Sequence, residues 1–247
     1  MARQLAVLLL LLPTVARAEP PELITDRPDF TESAAAVPPR YVQAELGAVA
    51  TLTEGQQVLE APALLLRVGV LRDVELRVGA PSAVVTWAEG QDGADTDVGP
   101  LQLGAKLMLP GDGGAAGLLP FVDLPVRASH YDSVGVGVGL KAVWAVDLGP
   151  RLGLGGNLGA QLSWLGAEDA EVAWHALGSL SLGISLTDWL GMFAEVYSLF
   201  DEADLQVYGH SGLTFAVARW LQLDLHGAVL LDTPASGLVG AGAAILM

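Results

Sequence analysis

"YVQAELGAVATL" (41–52) alternates with a period of two: Val42, Ala44, Leu46, Ala48 and Leu52 are apolar, and Gln43, Glu45 and Thr51 fall between them. A helix repeats its apolar residues every three to four positions. A strand sends successive side chains to opposite faces, so this stretch has one greasy face and one polar face. The pattern recurs. "DVELRVGA" (73–80) sets Val74, Leu76, Val78 and Ala80 against Glu75 and Arg77, and "LQLGAKL" (101–107) sets Leu101, Leu103, Ala105 and Leu107 against Gln102 and Lys106. "LQLDLHG" (221–227) sets Leu221, Leu223 and Leu225 against Gln222, Asp224 and His226. Twelve such segments can be marked, at 41–52, 57–69, 73–86, 98–109, 117–127, 133–147, 151–165, 172–186, 190–199, 205–218, 220–231 and 236–247. Several are long enough to cross a bilayer as tilted strands. An even number closes an antiparallel barrel with both termini on the periplasmic side.

Composition decides which face meets which solvent. The chain is 52% apolar and only 16% charged, with 30 Gly and no Cys. Residues 1–18, "MARQLAVLLLLLPTVARA", have a basic start at Arg3, an apolar stretch Leu5–Leu12 and an A-x-A ending at Ala16–Ala18. That is a secretory leader, its apolar run too short to span a membrane. It holds two of the 12 basic residues and none of the acids, so the chain beyond it carries 10 basic against 28 acidic residues, net −18. Such acidity excludes nucleic acid as a partner. An exported chain without cysteine has no disulfide framework, and no later segment has eighteen uninterrupted apolar residues. An exported, greasy, Gly-rich chain without a spanning helix reads as a transmembrane β-barrel of a Gram-negative outer membrane. The expected fold is all-β: an antiparallel up-and-down barrel of about twelve strands over 41–247, preceded by the leader (1–18) and an N-terminal segment (19–40). A water-soluble barrel or sandwich, its greasy face turned inward, is the competing reading.

Two features favour the membrane. With the first strand rising from the periplasm, Trp87, Trp164 and Trp174 fall near the outer rim and Trp144, Trp189 and Trp220 near the inner rim, as aromatic girdles require. The outer connections (53–56, 87–97, 128–132, 166–171, 200–204 and 232–235) hold thirteen carboxylates and no Lys or Arg. The inner turns are short and mixed in charge.

"TDRPDFTESAAAVPPRYVQAELG" (25–47) resembles the opening of the outer-membrane proteins of the meta-pathway of phenol degradation family, often called transporters. "LLLRVGVLRDVELRVG" (64–79), "VGPLQLGAKLMLP" (98–110), "LTDWLGMFAEVYS" (186–198) and "LQLDLHGAVLLDTPASGLVGAGAAIL" (221–246) extend the likeness over nearly the whole chain beyond the leader. The resemblance implies an outer-membrane barrel that passes small hydrophobic or aromatic compounds inward, among outer-membrane lipids and lipopolysaccharide and inserted by the barrel-assembly machinery. One departure is the last residue, Met247, where such barrels usually end in an aromatic.

If the greasy faces meet lipid, the lumen holds Glu45, Arg67, Glu75, Arg77, Lys106, Asp123, Lys141, Glu195, Asp224 and His226. Charges of both signs in a confined space should pair, as a structural salt-bridge network or a selectivity surface. Glycines at 135, 137, 139, 153 and 155 leave space along that lining. Catalysis is not expected: the four His and many Ser form neither a nucleophile elbow nor a zinc motif. "DGADTD" (92–97) lacks the spacing of a calcium loop, and "GVGVGLK" (135–141) lies in an alternating strand with no helix after it. No metal or cofactor site is expected. The classes left open are a channel, a sealed structural or surface barrel, and a lipid-modifying enzyme.

"ITDRPDFTES" (24–33) is neither helix nor strand: Pro28 and four turn-forming residues break both patterns. Either it is a solvated tail, or it folds back into the lumen as a plug. In the second case Asp26, Arg27, Asp29 and Glu32 would meet Arg67, Arg77, Lys106, Lys141 and the lining's acids, with Phe30 in the space left by glycines.

Overall fold

The computed structural model describes residues 21–109, 114–126, 135–165, 171–201, 204–233 and 235–247. Among the described residues fourteen strands follow one another: β1 (Val42–Thr53), β2 (Gln56–Leu71), β3 (Val74–Ala80), β4 (Ala83–Ala88), β5 (Asp95–Val98), β6 (Leu101–Leu109) and β7 (Ala115–Leu124). The second half comprises β8 (Val136–Gly149), β9 (Leu152–Leu165), β10 (Glu171–Ser185), β11 (Leu190–Asp201), β12 (Asp204–Ala218), β13 (Leu221–Leu230) and β14 (Gly237–Leu246). Every pairing is antiparallel. β1 pairs with both β14 (Gln43 with Leu246) and β2 (Val42 with Val68), which closes the sheet into a barrel and leaves it no free edge along that seam.

Fourteen strands make twelve ribbons. β3 and β4 follow β2 in one continuous register, Leu64 opposite Ala80 and Ala61 opposite Ala83. β5 and β6 continue the same way, Val98 opposite Ala83 and Gln102 opposite Gly79. Pro81 and Pro100 interrupt these two ribbons. Several boundaries differ from those expected, two of them at charged residues. Asp95–Asp97, read from sequence as the end of an acidic loop, form strand β5 together with Val98. β7 stops at Leu124 because Pro125 cannot continue it; Arg127, expected at the end of this strand, and Asp132, expected in the connection after it, lie outside the described residues.

The barrel is inside out relative to a soluble protein. Leu158 is 71% exposed, Leu225 55% and Leu76 50%, whereas Arg67, Lys106 and Glu75 are each 0% exposed. Burying charges while exposing leucines is stable only if the outer surface meets hydrocarbon. All six Trp are exposed, three toward the outer end of their strands and three at the end that carries the termini. The backbone of Met247 pairs with Val42 (Met247 N–H to Val42 O, 2.8 Å), and its side chain is exposed.

Candidate functional site: the lumen and the N-terminal segment

The inward parity of each strand brings the ten expected lining residues to the lumen. Glu45, Arg67, Glu75, Arg77, Lys106, Asp123, Glu195 and Asp224 are buried, and Lys141 and His226 are half-buried. Residues 24–37 run through the same space and make most of the contacts there.

Asp26 is the hub. Its carboxylate lies 3.0 Å from Lys106 Nζ and 3.3 Å from Arg67 Nη1, and it also pairs with Arg77. It accepts from Ser33 N–H at 2.8 Å, while its own N–H donates to Glu45 Oε1 at 3.1 Å. Burial alone would raise this carboxyl. The cations Arg67, Lys106 and Arg77 outweigh burial and hold it well below the usual carboxylate range.

Around the hub the Arg67 guanidinium is filled, while Arg77 bonds through its terminal nitrogens and leaves its buried Nε without a partner among the described residues. Arg67 donates through Nε and Nη2 to Glu75 at 2.9 and 3.0 Å, through Nη1 to Glu45 and the carbonyl of Ile24 at 3.0 Å each, and through Nη2 to Ala35 O at 2.9 Å. Arg77 bridges Glu75 (2.9 Å) and Glu32 (2.5 Å), and Lys141 meets Glu32 at 2.9 Å. Charges so buried are tolerated only with partners on every side. Here the N-terminal segment supplies about half of those partners.

The acids without a cation are met by dipoles. Glu195 accepts the backbone N–H of Phe30 (2.8 Å) and of Thr31 (2.7 Å), together with His210 Nδ1–H at 2.7 Å. Asp123 accepts from Gln102 and Gln161 at 3.0 Å each. Arg27 forks onto Asp224, 3.1 Å to Oδ1 and 3.4 Å to Oδ2. Gly47 and Gly242 make room for it, since a Cβ at either would fall 2.3–2.4 Å from the guanidinium. A Cβ at Gly69 would fall 2.0 Å from the carbonyl oxygen of Pro38, so β2 and the segment touch backbone to backbone there.

Two expected contacts are replaced. Asp29 accepts from Ser181 Oγ at 2.9 Å instead of from a lysine or arginine. Phe30 does not lie over the glycines of β8, whose space is taken within the wall: Gln161 reaches toward Gly137 and the Phe121 ring covers Gly139. Its ring stacks instead on Tyr197, centroids 4.4 Å apart at 15°, and Tyr197 stacks on Tyr208 at 4.7 Å and 12°. Tyr197, Tyr208 and His210 are not among the residues expected from the sequence. Their signal is parity, since Tyr208 and His210 alternate with Leu205, Val207 and Leu213. His210 links Glu195 to His226, Nε2 to Nδ1 at 2.9 Å.

An apolar exterior, tryptophans at both ends and a charged interior define an outer-membrane, porin-like β-barrel. The chain belongs to the family described as "Putative MetA-pathway of phenol degradation", whose model matches residues 25–246. No sequence among the curated proteins matches it. Among solved structures it is similar to the NanC porin (TM-score 0.59, 7% identity, covering 82% of this chain and 98% of that one). It is also similar to the translocator domain of the autotransporter NalP from Neisseria meningitidis (TM-score 0.53, 13% identity, 83% and 87%). The KdgM porin aligns with a TM-score of 0.51 at 9% identity over 81% and 98%. At these identities the likeness is one of fold.

Proposed function

We propose that the barrel is a channel for small hydrophobic or aromatic compounds and that residues 21–40 are its plug. The observation that carries the reading is the stack Tyr208–Tyr197–Phe30, which lines up aromatic faces inside the lumen and ends on a ring supplied by the segment itself. Planar apolar solutes bind such faces by offset stacking, and the family's association with phenol degradation agrees. Export by the leader (1–18), insertion by the assembly machinery and contact with lipopolysaccharide belong to the same proposal. The density of ion pairs between segment and wall favours a second reading, a permanently sealed structural barrel. Deleting residues 19–36 separates the two. A channel predicts low conductance for the full chain, high conductance for the deletion in planar bilayers, and faster uptake of labelled phenol by cells bearing the full chain than by cells without it. A deletion that folds but neither conducts nor passes phenol overturns the channel.

A further inference from the structure

The segment does not fill the lumen evenly. Toward β1–β3 and β6 it is sealed by the Asp26 network, where the side chains of Glu45, Arg67, Glu75 and Lys106 are 0% exposed. Toward β8–β10 it meets hydroxyls and glycines. Thr31 Oγ1 lies 2.7 Å from Ser179 Oγ, and Ser181 donates to Asp29 at 2.9 Å. Below these contacts the wall leaves room. A Cβ at Gly153 would meet nothing within 4 Å, and one at Gly183 only the carbonyl oxygen of Gly153 at 3.8 Å.

Cavities follow that loose side. In the periplasmic half, one of ≈ 340 Å³ lies between the segment and Ala145, Gly153, Gly155 and Gly183 of the wall. A second, of ≈ 400 Å³, shares Thr25, Asp29, Asp147, Gly153, Gly183 and Phe193 with the first and reaches the inner turn at Pro150 and Arg151. The two form one passage to the periplasmic end. In the outer half, an open recess of ≈ 310 Å³ is lined by Leu64 and Leu65 as well as by charged groups, among them Glu60, Arg77 and Asp123. Two side chains of the segment bound this recess and the inner passage alike. Arg27 is wedged between Gly47 and Gly242 and forked onto Asp224. Glu32 is held more loosely. It bridges Arg77 to Lys141 (2.9 Å), and the Glu32 and Lys141 side chains are 14% and 15% exposed, so water reaches this pair from the cavities. Such a pair is weak because solvent screens it. Lys141 Nζ also lies 5.6 Å from the centroid of Phe121, a second resting place for the ammonium.

We propose that solute crosses the barrel past the seated segment, along β8–β10, and that the Glu32–Lys141 pair is the gate between the outer recess and the inner passage. This rests on the reading that the barrel passes aromatic compounds. When Lys141 swings toward Phe121, Glu32 stays on Arg77, the recess joins the passage below it, and the Asp26 network remains intact. Glu32 and Asp147 line the passage as hydrogen-bond acceptors, so a ring that carries a hydroxyl passes more readily than a bare hydrocarbon, which cannot replace the water these groups lose. The missing side chains at Gly153 and Gly183 set the width.

The chain has no cysteine, so a disulfide can be introduced without background. Thr31→Cys/Ser179→Cys pins the segment to β10, because the parent oxygens stand 2.7 Å apart, close to where a disulfide places its sulfurs. Uptake of labelled phenol is measured in cells carrying the full chain, oxidised and then reduced, with folding checked by the gel mobility of unboiled samples. Uptake should be equal in the two states. Gly153→Phe/Gly183→Phe fills the inner passage and should abolish barrel-dependent uptake, whereas Leu158→Phe, on the lipid face, should not change it. Lys141→Ala should raise the conductance of the full chain in planar bilayers while residues 21–40 stay as resistant to proteolysis as in the parent. Loss of uptake on oxidation with recovery on reduction, or undiminished uptake through a folded Gly153→Phe/Gly183→Phe barrel, overturns the passage and leaves the channel standing. Unchanged conductance of Lys141→Ala overturns the gate. If the pinned variant does not fold, Lys141→Ala decides alone, since conductance that rises only when the segment is cleaved means that the segment must leave. Absence of phenol uptake by the unmodified barrel overturns the channel for aromatics, and the conductance of Lys141→Ala then upholds or overturns the passage by itself.

Discussion

Asp26→Asn should release the N-terminal segment while leaving the barrel intact. The substitution keeps the shape of the side chain and removes the charge that Lys106, Arg67 and Arg77 share. Breaking one partner of a buried ion pair costs about 3–5 kcal/mol. Arg67 and Arg77 retain Glu75 at 2.9 Å, whereas Lys106 keeps as its nearest carboxylate only Glu75 at 3.9 Å, with neutral acceptors on Ser33 and Ala35. The loss therefore falls mainly on Lys106, and the lower end, about 3 kcal/mol, is the appropriate figure. Leaving the lumen relieves it, because water then reaches the unpaired cation. At about 1.4 kcal/mol per factor of ten, the ratio of seated to released segment falls roughly a hundred-fold. The assay is limited proteolysis of the folded protein in detergent, following cleavage within residues 21–40, with planar-bilayer conductance in parallel. Cleavage should accelerate and conductance rise, and unboiled gel mobility should stay that of a closed barrel. If the variant is cleaved as slowly as the parent and conducts no more, Asp26 is not what holds the segment.

Acid should act on the same hub. The folded-state carboxyl of Asp26 is held below its unfolded value, so its contribution is complete above about pH 4 and fades as pH falls through the depressed folded value. Protection of the segment should thus not weaken from neutral pH down to about 4, and Asp29, whose carboxyl is pushed up by burial and by Glu195, adds to it as it takes its proton; it should weaken only below about 4, and release near neutral pH would contradict this. Gly69→Ala should loosen residues 37–40 by about 1–3 kcal/mol, since its Cβ meets the carbonyl of Pro38, and hydrogen exchange at Arg40 and Tyr41 would report it. Conductance of the barrel lacking residues 19–36 should prefer cations and lose that preference as salt rises, because carboxylates such as Glu54, Glu89, Asp92, Asp204 and Asp232 stand at the outer end and act over about 10 Å at 0.1 M salt. Anion preference would contradict the orientation of the barrel.

The period of two is enough to say which side chains face lipid and which face the lumen, because a pleated strand leaves no other choice once one face must be apolar. That is why Glu45, Arg67, Glu75, Lys106 and Asp224 are legible in the alternation itself, and why the tryptophans sort to two ends. Parity on β12 holds Tyr208 and His210 equally well, but a lumen expected to be polar gives aromatic residues there no evident role. What parity cannot supply is who meets whom across the barrel. Asp26 and Lys106 are eighty residues apart, and Arg27 and Asp224 nearly two hundred; their pairing depends on closure and register, which place distant ribbons around one narrow space. The same holds for Phe30, which meets Tyr197 because side chains of the wall already fill the room beside Gly137 and Gly139. The prolines at 62, 81, 100 and 125 are each visible as local breakers. Only the registers of neighbouring ribbons bring Pro81, Pro100 and Pro125 opposite one another, since the position of a residue along its own strand does not determine what stands beside it in the next.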